Sequence, residues 1–358
     1  MESSKPIVLV TGSTGYVGSW IVAKILQEGK YRVRGAGRNI HNAEKMEPFN
    51  KALREHCPDN YDEFELVEAS LEDSDAIKRA VEGVTYVLHV ASPMPDSKVK
   101  GSEKSMIQPA IDGNINVLQA CVGSGVKRVV ITSSALTICD HKKGDGVYSY
   151  DSFVEESPKL DLYSKSKIRS ENAAIEFVKE LEGKKERTFD VLFIHPGGIS
   201  GVPFVPIMKG EGLNMFKMFL ENKFPRVPVV YYPLVDVQDV AQAHVNALDK
   251  GDHLGRYPIN SATIRMVELV QLIKDRYEPM GYKVGNKELP KCVVWMFSLC
   301  NADARNIYYH WGVKAEPDGA YGAKELGLQK YVSVDDSIYA TCDFLIENKF
   351  VKEPKKKK

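Results

Sequence analysis

The sequence lacks several features that would assign it to a function class at once. Among its 358 residues, lysine plus arginine and aspartate plus glutamate number 48 each, so no net charge favours nucleic acid or an anionic membrane. The six cysteines form no Cys-x-x-Cys pair and no cluster with histidine, which argues against a metal site and favours a reducing compartment. An apolar run begins at Ile7, which leaves no room for a signal peptide. We therefore expect a cytoplasmic protein that binds no nucleic acid and no metal.

A long hydrophobic run is also missing. The most apolar stretch outside the predicted strands, residues 292–300, is too short to cross a bilayer. We interpret it as a packed helix, with an interfacial membrane helix as the alternative. The lysines at residues 355–358 are interpreted as a solvated tail. The sequence thus predicts no membrane partner.

What the sequence does contain is an alternation of short apolar runs with helical patterns over its first half. Strands are predicted at residues 7–11, 31–36, 64–68, 86–90, 128–132 and 189–194. Helices are predicted at residues 16–26, 42–57, 73–82, 106–122 and 161–181. Buried strands that alternate with helices indicate an α/β fold, a Rossmann-like doubly wound parallel sheet covered on both faces.

The pattern changes near residue 200. We assign residues 1–199 to a dinucleotide-binding domain and residues 200–350 mainly to a smaller C-terminal substrate lobe, from which some segments can return to the sheet. A basic tail, residues 351–358, follows. In the lobe, helices are predicted at residues 238–248, 266–276, 320–326 and 334–347, and a strand at residues 256–259. The ligand cleft should lie between the two parts, at the carboxyl ends of the strands.

A glycine-rich turn joins the first predicted strand to the first helix. It reads Thr-Gly-Ser-Thr-Gly-Tyr-Val-Gly from residue 11 to residue 18. Gly12 permits a sharp turn, Gly15 permits approach of a pyrophosphate to the helix N-terminus, and Gly18 permits close packing of the helix. The predicted dinucleotide contacts in this turn are Gly12, Thr14, Gly15, Tyr16, Val17 and Gly18.

The end of the second predicted strand indicates which nicotinamide cofactor binds. A ribose 2'-hydroxyl is held by a carboxylate and a 2'-phosphate by a guanidinium. Residues 34–38 read Arg-Gly-Ala-Gly-Arg and contain no acid. We therefore predict NADP(H), with Arg38 as the phosphate ligand and Lys45 on the next helix. The alternative is that Arg38 is a solvated surface residue.

A tyrosine and a lysine stand four residues apart in the long predicted helix. Tyr163 and Lys167 project from one face of it, and the end of the fifth strand supplies the hydroxyl of Ser134, with Ser133 as the alternative. Because a nearby ammonium stabilises phenolate, it lowers the tyrosine pKa from about 10. Tyr163 then becomes a usable proton donor and acceptor.

These motifs together resemble an extended short-chain dehydrogenase/reductase, and among these the dihydroflavonol reductase-like branch, which includes cinnamoyl-CoA, aldehyde and methylglyoxal reductases. The resemblance also includes the segments at residues 89–94, 195–197 and 239–244 and runs from about residue 5 to about residue 350. It implies NADPH-dependent reduction of a carbonyl, with Ser134 orienting the carbonyl oxygen, Tyr163 as general acid and Lys167 as its tuner and a ribose ligand.

The same resemblance implies further cofactor contacts. Arg38 and Lys45 match the positions that hold the 2'-phosphate. The other implied contacts are Leu71 toward adenine, Val90, Ala91 and Ser92 toward adenosine and ribose, and Pro196, Gly197 and Ile199 toward nicotinamide. The chain departs from the family in two places: Ser70 replaces an aspartate near adenine, and Cys139 replaces a substrate-binding asparagine, which argues against a flavonoid substrate.

Other residues receive structural interpretations. We expect His89 and His195 to be hydrogen-bonded structural histidines and Asp239 to cap the helix that follows it. Much of the substrate-pocket wall is expected from residues 201–232, a segment rich in apolar side chains: Val202, Phe204, Val205, Ile207, Met208, Met215, Phe216, Met218 and Phe219. Part of this set is expected to be core, because residues 215–220 have helical spacing and would bury one face. Such walls favour small hydrophobic or aromatic aldehydes and ketones, including α-dicarbonyls.

Two alternative functions stay open on the sequence. A nucleotide-sugar epimerase or dehydratase uses the same residues with tightly held NAD, and a non-catalytic family member can serve as a regulator or a subunit of an assembly. The lack of an acid near Arg38 argues against the first, and the presence of both Tyr163 and Lys167 argues against the second. The protein is expected to act as a monomer or a homodimer.

Overall fold

Strands and helices alternate over the first half of the chain, and shorter elements follow. The structure, a computed structural model, describes residues 5–92, 102–207 and 211–354. In chain order the strands are β1 (Ile7–Thr11), β2 (Arg32–Gly37), β3 (Phe64–Glu68), β4 (Tyr86–His89), β5 (Arg128–Thr132), β6 (Gly146–Tyr148), β7 (Asp190–Pro196), β8 (Gly198–Ser200), β9 (Arg226–Val227), β10 (Tyr231–Asp236), β11 (Arg256–Ile259), β12 (Ala262–Arg265), β13 (Lys287–Glu288) and β14 (Ala315–Pro317). The helices are α1 (Tyr16–Glu28), α2 (Ala43–His56), α3 (Ser74–Val81), α4 (Gln108–Cys121), α5 (Leu162–Lys184), α6 (Glu211–Leu220), α7 (Val237–Asn246), α8 (Met266–Tyr277), α9 (Lys291–Ser298), α10 (Ala302–Tyr309), α11 (Gly319–Leu326) and α12 (Val334–Glu347).

Seven parallel strands form the central sheet, in the order β11-β7-β5-β4-β1-β2-β3. The chain order reverses between β1 and β4, so the crevice at their carboxyl ends is where a sheet of this topology binds ligands. The fold class predicted from the sequence, a Rossmann-like doubly wound sheet, is confirmed.

The two faces of the sheet carry separate hydrophobic layers. Successive side chains of a strand point to opposite faces. Val8 and Val10 accordingly pack into the layer that contains Ile21 of α1, whereas Leu9 packs into the layer that contains Ile77 of α3. Because both faces are covered, the inner strands are apolar along their whole length, which is the pattern that the sequence shows.

Part of the C-terminal half returns to the central sheet. β11 pairs with β7, and α7 packs against α1. The remaining segments build small sheets, β8-β10-β12, β9-β13 and β6-β14, and a further hydrophobic cluster between α6, α8 and α12. The division of the chain at residue 199 stays a prediction, and it does not coincide with the edge of the sheet.

Most of residues 292–300 lie in the helix α9, as predicted, but the prediction that this helix is packed was wrong for most of it. In α9 only Val294 and Ser298 are buried. Trp295 is 52% exposed, and Leu299, just beyond the helix, is 67% exposed. The helix packs against α10 through one narrow side, which leaves most of its apolar side chains at the surface. Within the described residues, no helix is both long and apolar enough to cross a membrane.

The expectation that Asp239 caps the helix after it was also wrong. α7 begins two residues earlier, and Asp236 is its N-cap, with a side chain that accepts a hydrogen bond from the Gln238 amide. Asp239 lies inside the helix and accepts a hydrogen bond from the Val332 amide. Burial raises the pKa of Asp239 to about 6. Asp239 therefore joins α7 to the segment that precedes α12.

Candidate active site

A cavity of about 1170 Å³ opens at the carboxyl edge of the central sheet. This exceeds the volume of roughly 300–1000 Å³ that is usual for one small-molecule site. It extends from the glycine turn after β1, past the ends of β4, β5 and β7, to α6 and α10. The predicted site residues on its wall are Gly12, Thr14, Gly15, Tyr16, Val17, Gly18, Arg38, Leu71, Val90, Ala91, Ser92, Ser134, Tyr163, Lys167, Pro196, Gly197 and Ile199. The cavity is therefore large enough to hold a dinucleotide and a substrate together.

The glycine turn has the geometry of a phosphate cradle. Gly12 has a φ of +68°, and a Cβ atom there would lie 3.1 Å from the Ala91 backbone. A Cβ atom on Gly18 would lie 2.2 Å from the Gly12 carbonyl oxygen, so α1 can begin this close to the turn only with glycine. The N-cap residue Gly15 has no side chain to satisfy the first amides of α1. An anion at this helix N-terminus would satisfy them.

The strand ends beside the turn are fixed by a buried hydroxyl. The backbone amides of Val90 and Ala91 both donate to Thr11 Oγ1, over 3.1 Å each. Thr11 Oγ1 also lies 2.8 Å from His89 Nδ1. Because the Thr11 oxygen accepts both amides, its own hydroxyl proton is donated to His89 Nδ1. Burial lowers the pKa of His89 to about 4, so its ring is neutral. The structural interpretation of His89 is confirmed in its hydrogen bonding.

The far end of the cavity is formed by the ends of β2 and β3. Arg38 is exposed there, and Ser70 and Leu71 line the wall opposite. Glu68, from β3, accepts a hydrogen bond from the Asn39 amide. The end of β2 contains no acid, but the neighbouring strand thus places a carboxylate beside it. Lys45 is the one predicted cofactor ligand outside the cavity wall; it is exposed in the first turn of α2, and its role stays a prediction.

Tyr163, Lys167 and Ser134 meet where β5 and α5 border the cavity. α5 begins after Asp161, which accepts a hydrogen bond from the Ser164 amide, and it therefore presents Tyr163 in its first turn. Lys167 Nζ lies 5.9 Å from the centre of the Tyr163 ring and donates to the Thr132 carbonyl over 3.2 Å. Burial lowers the pKa of Lys167 to about 8, against the opposing charge of Glu171. The predicted constellation is brought together at one edge of the cavity.

A buried acid behind this constellation was missed in the sequence. Glu171, one turn beyond Lys167 on α5, accepts hydrogen bonds from Ser133 and Thr137 and lies 3.0 Å from His195 Nε2. Arg256 of β11 donates to it over 2.7 Å, and both side chains are 3% exposed. His195 thus has the structural hydrogen bond expected of it.

The same network separates the two candidate serines. Ser133 is buried and its hydroxyl donates to Glu171, so this proton is not free to bond a ligand. Ser134 borders the cavity, and its oxygen accepts only the Leu136 amide among the described residues. Its hydroxyl proton is therefore available to a bound ligand, which favours Ser134 over Ser133.

The substrate end of the cavity differs from the expected wall. Met215 and Phe219 of α6 line it, but residues 202–207 do not. Trp20 donates to the Val202 carbonyl over 2.8 Å, and Phe204 packs edge-on against the Trp20 ring, so this loop is held on α1 instead. Phe216 is buried in the lobe core, as the helical spacing of residues 215–220 predicts for one face, and Met208 lies outside the described residues.

The substrate end also has lining residues that the sequence analysis did not name. Phe224, Tyr231 and Tyr232 lie within the expected range, residues 201–232, whereas His141, Asn306 and His310 lie outside it and were missed. Cys139, noted in the sequence as a departure from the family, lies among them, and burial raises the pKa of its thiol to about 12. No periodic pattern in the sequence indicated His141 or His310, because both lie where the chain leaves regular structure.

Comparison with known proteins agrees with this geometry. The model of the NAD dependent epimerase/dehydratase family matches residues 8–259. An oxidoreductase of Schizosaccharomyces pombe, described as putative and uncharacterized, is 31% identical over 262 residues, which cover 69% of this chain and 74% of that protein. Dihydroflavonol 4-reductase of Zea mays is 30% identical over 283 residues, 77% of this chain and 75% of the relative.

Solved structures show the same fold. Yeast methylglyoxal/isovaleraldehyde reductase Gre2, in a crystal structure with NADPH, superimposes with a TM-score of 0.76 at 22% identity, over 96% of this chain and 99% of that one. The family match covers the glycine turn, Ser134, Tyr163, Lys167 and the strand β11 that closes the sheet. The chain therefore belongs to the NAD dependent epimerase/dehydratase family, as its motifs predicted.

Proposed function

We propose that the protein is an NADPH-dependent reductase of small hydrophobic or aromatic aldehydes and ketones. The observation that carries the proposal is the position of Tyr163, Lys167 and Ser134 on the wall of the cavity that also contains the glycine turn. A carbonyl bound beside Tyr163 would thus share one space with a dinucleotide bound along α1.

The residues present fit NADPH. The turn at residues 12–18 would hold the pyrophosphate at the N-terminus of α1. Arg38, exposed at the far end of the cavity, would hold the 2'-phosphate, and Ser92 and Lys167 border the region where the ribose would lie. When bound, this cofactor supplies the hydride that the carbonyl carbon receives. The reductase relatives and the NADPH complex of Gre2 support this choice.

The protein's own groups act on the carbonyl oxygen. Ser134 donates a hydrogen bond to that oxygen and holds it beside Tyr163. As negative charge develops on the oxygen, the Tyr163 hydroxyl donates its proton to it, and the C=O π pair becomes the new O–H bond. The Lys167 ammonium stabilises the phenolate that remains, and solvent returns the proton. The apolar side chains of α6 exclude water around the rest of the substrate.

The apolar part of the wall favours a reductase of free carbonyl compounds over a sugar-nucleotide enzyme. Of the side chains that line the substrate end, Met215, Phe219 and Phe224 are apolar, and no arginine or lysine of the described residues joins them there. A second pyrophosphate, as in a sugar nucleotide, is held best by charge-assisted hydrogen bonds from cationic donors. Asn306 borders this end, but its amide already donates to Asp161. The apolar side chains that would contact the substrate thus come from α6 and the segment that follows it.

The substitution Tyr163→Phe tests the proposal. It removes the proton donor and keeps the ring, so NADPH oxidation with aromatic aldehydes should fall at least about 100-fold, the usual contribution of a positioned general acid. Fluorescence titration should show NADPH binding within about threefold of the unchanged protein, because the glycine turn is untouched. Near-normal turnover by the variant would exclude Tyr163 as the acid.

A further inference from the structure

Two imidazole rings face each other at the substrate end of the cavity. His141 follows β5 and the turn after it, and His310 directly follows α10. Their ring centres are 4.0 Å apart and their planes are at 88°, so the edge of one ring meets the face of the other. Both residues line the cavity that contains Tyr163, and the mechanism above uses neither. Tyr231, Tyr232 and Asn306 also line this end, beside the apolar side chains of Met215, Phe219 and Phe224.

The hydrogen bonds of the two rings fix where their protons are. His141 Nδ1 lies 3.2 Å from the Cys139 carbonyl, which can only accept, so Nδ1 carries the proton. Asn306 Nδ2 donates to Asp161 Oδ2 over 2.7 Å, which directs its carbonyl oxygen to His310 Nε2, 3.1 Å away. His310 Nε2 therefore carries the other proton. His141 Nε2 and His310 Nδ1 are left as lone-pair acceptors, with no hydrogen-bond partner among the described residues.

Both rings are uncharged in this setting. Burial lowers the pKa of His310 to about 3, and the neighbouring His141 contributes in the same direction. Burial likewise lowers the pKa of His141, although its bond to the Cys139 carbonyl opposes this. A neutral imidazole acceptor attracts a hydroxyl or N–H group and offers no positive charge to a carboxylate or a phosphate. The pair therefore suits a neutral donor group.

The pair is tied to the helix that carries the candidate acid. Asp161 caps α5 through Oδ1, two residues before Tyr163, and holds Asn306 through Oδ2. Asn306 in turn holds His310. A single carboxylate thus links the first turn of α5, which carries Tyr163, to His310 through Asn306. A substrate that reaches both must have its donor group at a fixed separation from its carbonyl.

We propose that His141 and His310 form an acceptor subsite that selects carbonyl substrates with a hydroxyl group remote from the reacting carbonyl, as in hydroxylated aromatic aldehydes and ketones. This inference rests on the proposed function and narrows its substrate class. The apolar wall receives the aromatic body, and the imidazole lone pairs accept the hydroxyl proton. Both rings are half-buried, and an analogue without the donor covers their acceptor nitrogens without forming a hydrogen bond, which is a basis for discrimination.

Matched substrate pairs test the subsite. The probes are aromatic ketones and aldehydes with a 3- or 4-hydroxyl group, each compared with its methoxy counterpart, which has similar electronic character and no donor. The unchanged protein should prefer at least one hydroxylated probe by about fivefold or more in kcat/KM, the factor of one neutral hydrogen bond. In His310→Phe and in His141→Phe that ratio should fall toward one. Tyr308→Phe, on the outer side of α10, is the control and should keep the ratio.

Two results would overturn the subsite: equal kcat/KM for every pair in the unchanged protein, or a preference that survives in the His141→Phe/His310→Phe double variant. A binding measurement separates this from failure of the reductase proposal. Calorimetric titration of the NADPH-loaded protein with the same probes should show tighter binding of the hydroxylated member, lost in the double variant. If no probe is reduced but the hydroxylated probes still bind more tightly, the subsite is supported and the reductase proposal fails. If no probe is reduced and the two members of each pair bind equally, both proposals fail.

Discussion

Arg38 is the residue on which the proposed preference for NADPH over NADH depends. It lies at the far end of the cavity, is exposed, and forms no ion pair with another described residue. A charge-assisted contact with a 2'-phosphate is worth about 1.5–3 kcal/mol. Glu68 lies close to the same loop and would repel that phosphate, so the guanidinium is needed to offset it.

The substitution Arg38→Ala should therefore weaken NADPH binding roughly tenfold to a hundredfold and leave NADH binding almost unchanged. Lys51→Ala is the matched control, since Lys51 is an exposed cation of α2 outside the cavity, paired with Glu55. Fluorescence titration with both cofactors measures the effect. Equal affinity of the unchanged protein for NADH and NADPH would contradict the assignment.

Single residues differ in how visible they are in the sequence. Gly12, Gly15 and Gly18 could be predicted because glycines with this spacing, between a strand and a helix, are typical of a turn that binds a pyrophosphate. Tyr163 and Lys167 could be predicted because residues that are four positions apart lie on the same face of a helix. Glu171 lies one turn further on that face, but its partners Ser133, His195 and Arg256 come from distant parts of the chain, and only folding brings them to it.

α5 is the element that joins the reacting groups to the sheet. Glu171 on this helix is bonded to β11 through Arg256, which also donates to the Thr137 carbonyl after β5 and to the Tyr150 carbonyl. A buried ion pair of this kind does not by itself imply high stability, but removing one partner leaves the other charge buried and unpaired. We therefore propose that Glu171 acts as a positioning residue behind Lys167 and Ser134.

The substitution Glu171→Gln should lower the free energy of unfolding by roughly 3–5 kcal/mol, because the Arg256 charge loses its partner. Glu176→Gln, on the exposed side of α5, should change it by less than about 0.5 kcal/mol. Denaturant titration measures both. A Glu171→Gln protein as stable as the control would show that the buried pair contributes little.

A pH profile of the same variant reports on Lys167. Its pKa is about 8, lowered by burial and opposed by the charge of Glu171, so the ammonium is lost as the pH rises through that value. Reduction should therefore decline above about pH 8, and removing the Glu171 charge should move this decline to lower pH. An unmoved alkaline limb would show that Glu171 has a structural role only.

Strands and helices, like single residues, could be predicted from the sequence where a local pattern indicates them and could not where only folding brings their partners together. The strands and helices of the first half could be predicted, since buried strands and amphipathic helices have distinct periods. β6, β8, β9 and β14 could not be predicted, because each has three residues or fewer and pairs with a distant segment. The helix α9 could be predicted, but its exposed apolar face could not, since a run of apolar residues indicates burial wherever a core is available.

On the scale of the whole molecule, one half of the cavity, along α1, could be predicted from the sequence, and the other half, at the substrate end, could not. The half along α1 follows from the glycine turn and the doubly wound sheet, which the sequence predicted, while the order of the strands is seen in the structure. The substrate half is assembled from α6, the segment before β10, α10 and the residues after β5, and no local pattern indicates that these segments meet. The family could therefore be identified from the sequence, while the residues that select the substrate required the structure.

Transfer of hydride from NADPH to a free carbonyl is the central claim, and an isotope measurement tests it most directly. The protein is incubated with NADPH deuterated at nicotinamide C4 and a panel of hydroxylated and plain aromatic aldehydes and ketones, and the alcohols are analysed by mass spectrometry. We predict alcohols with one deuterium at the former carbonyl carbon, formed by the unchanged protein and at least about 100-fold more slowly by Tyr163→Phe. Conversion of sugar nucleotides without net oxidation of the cofactor, and no deuterated alcohol from any carbonyl compound, would contradict the account.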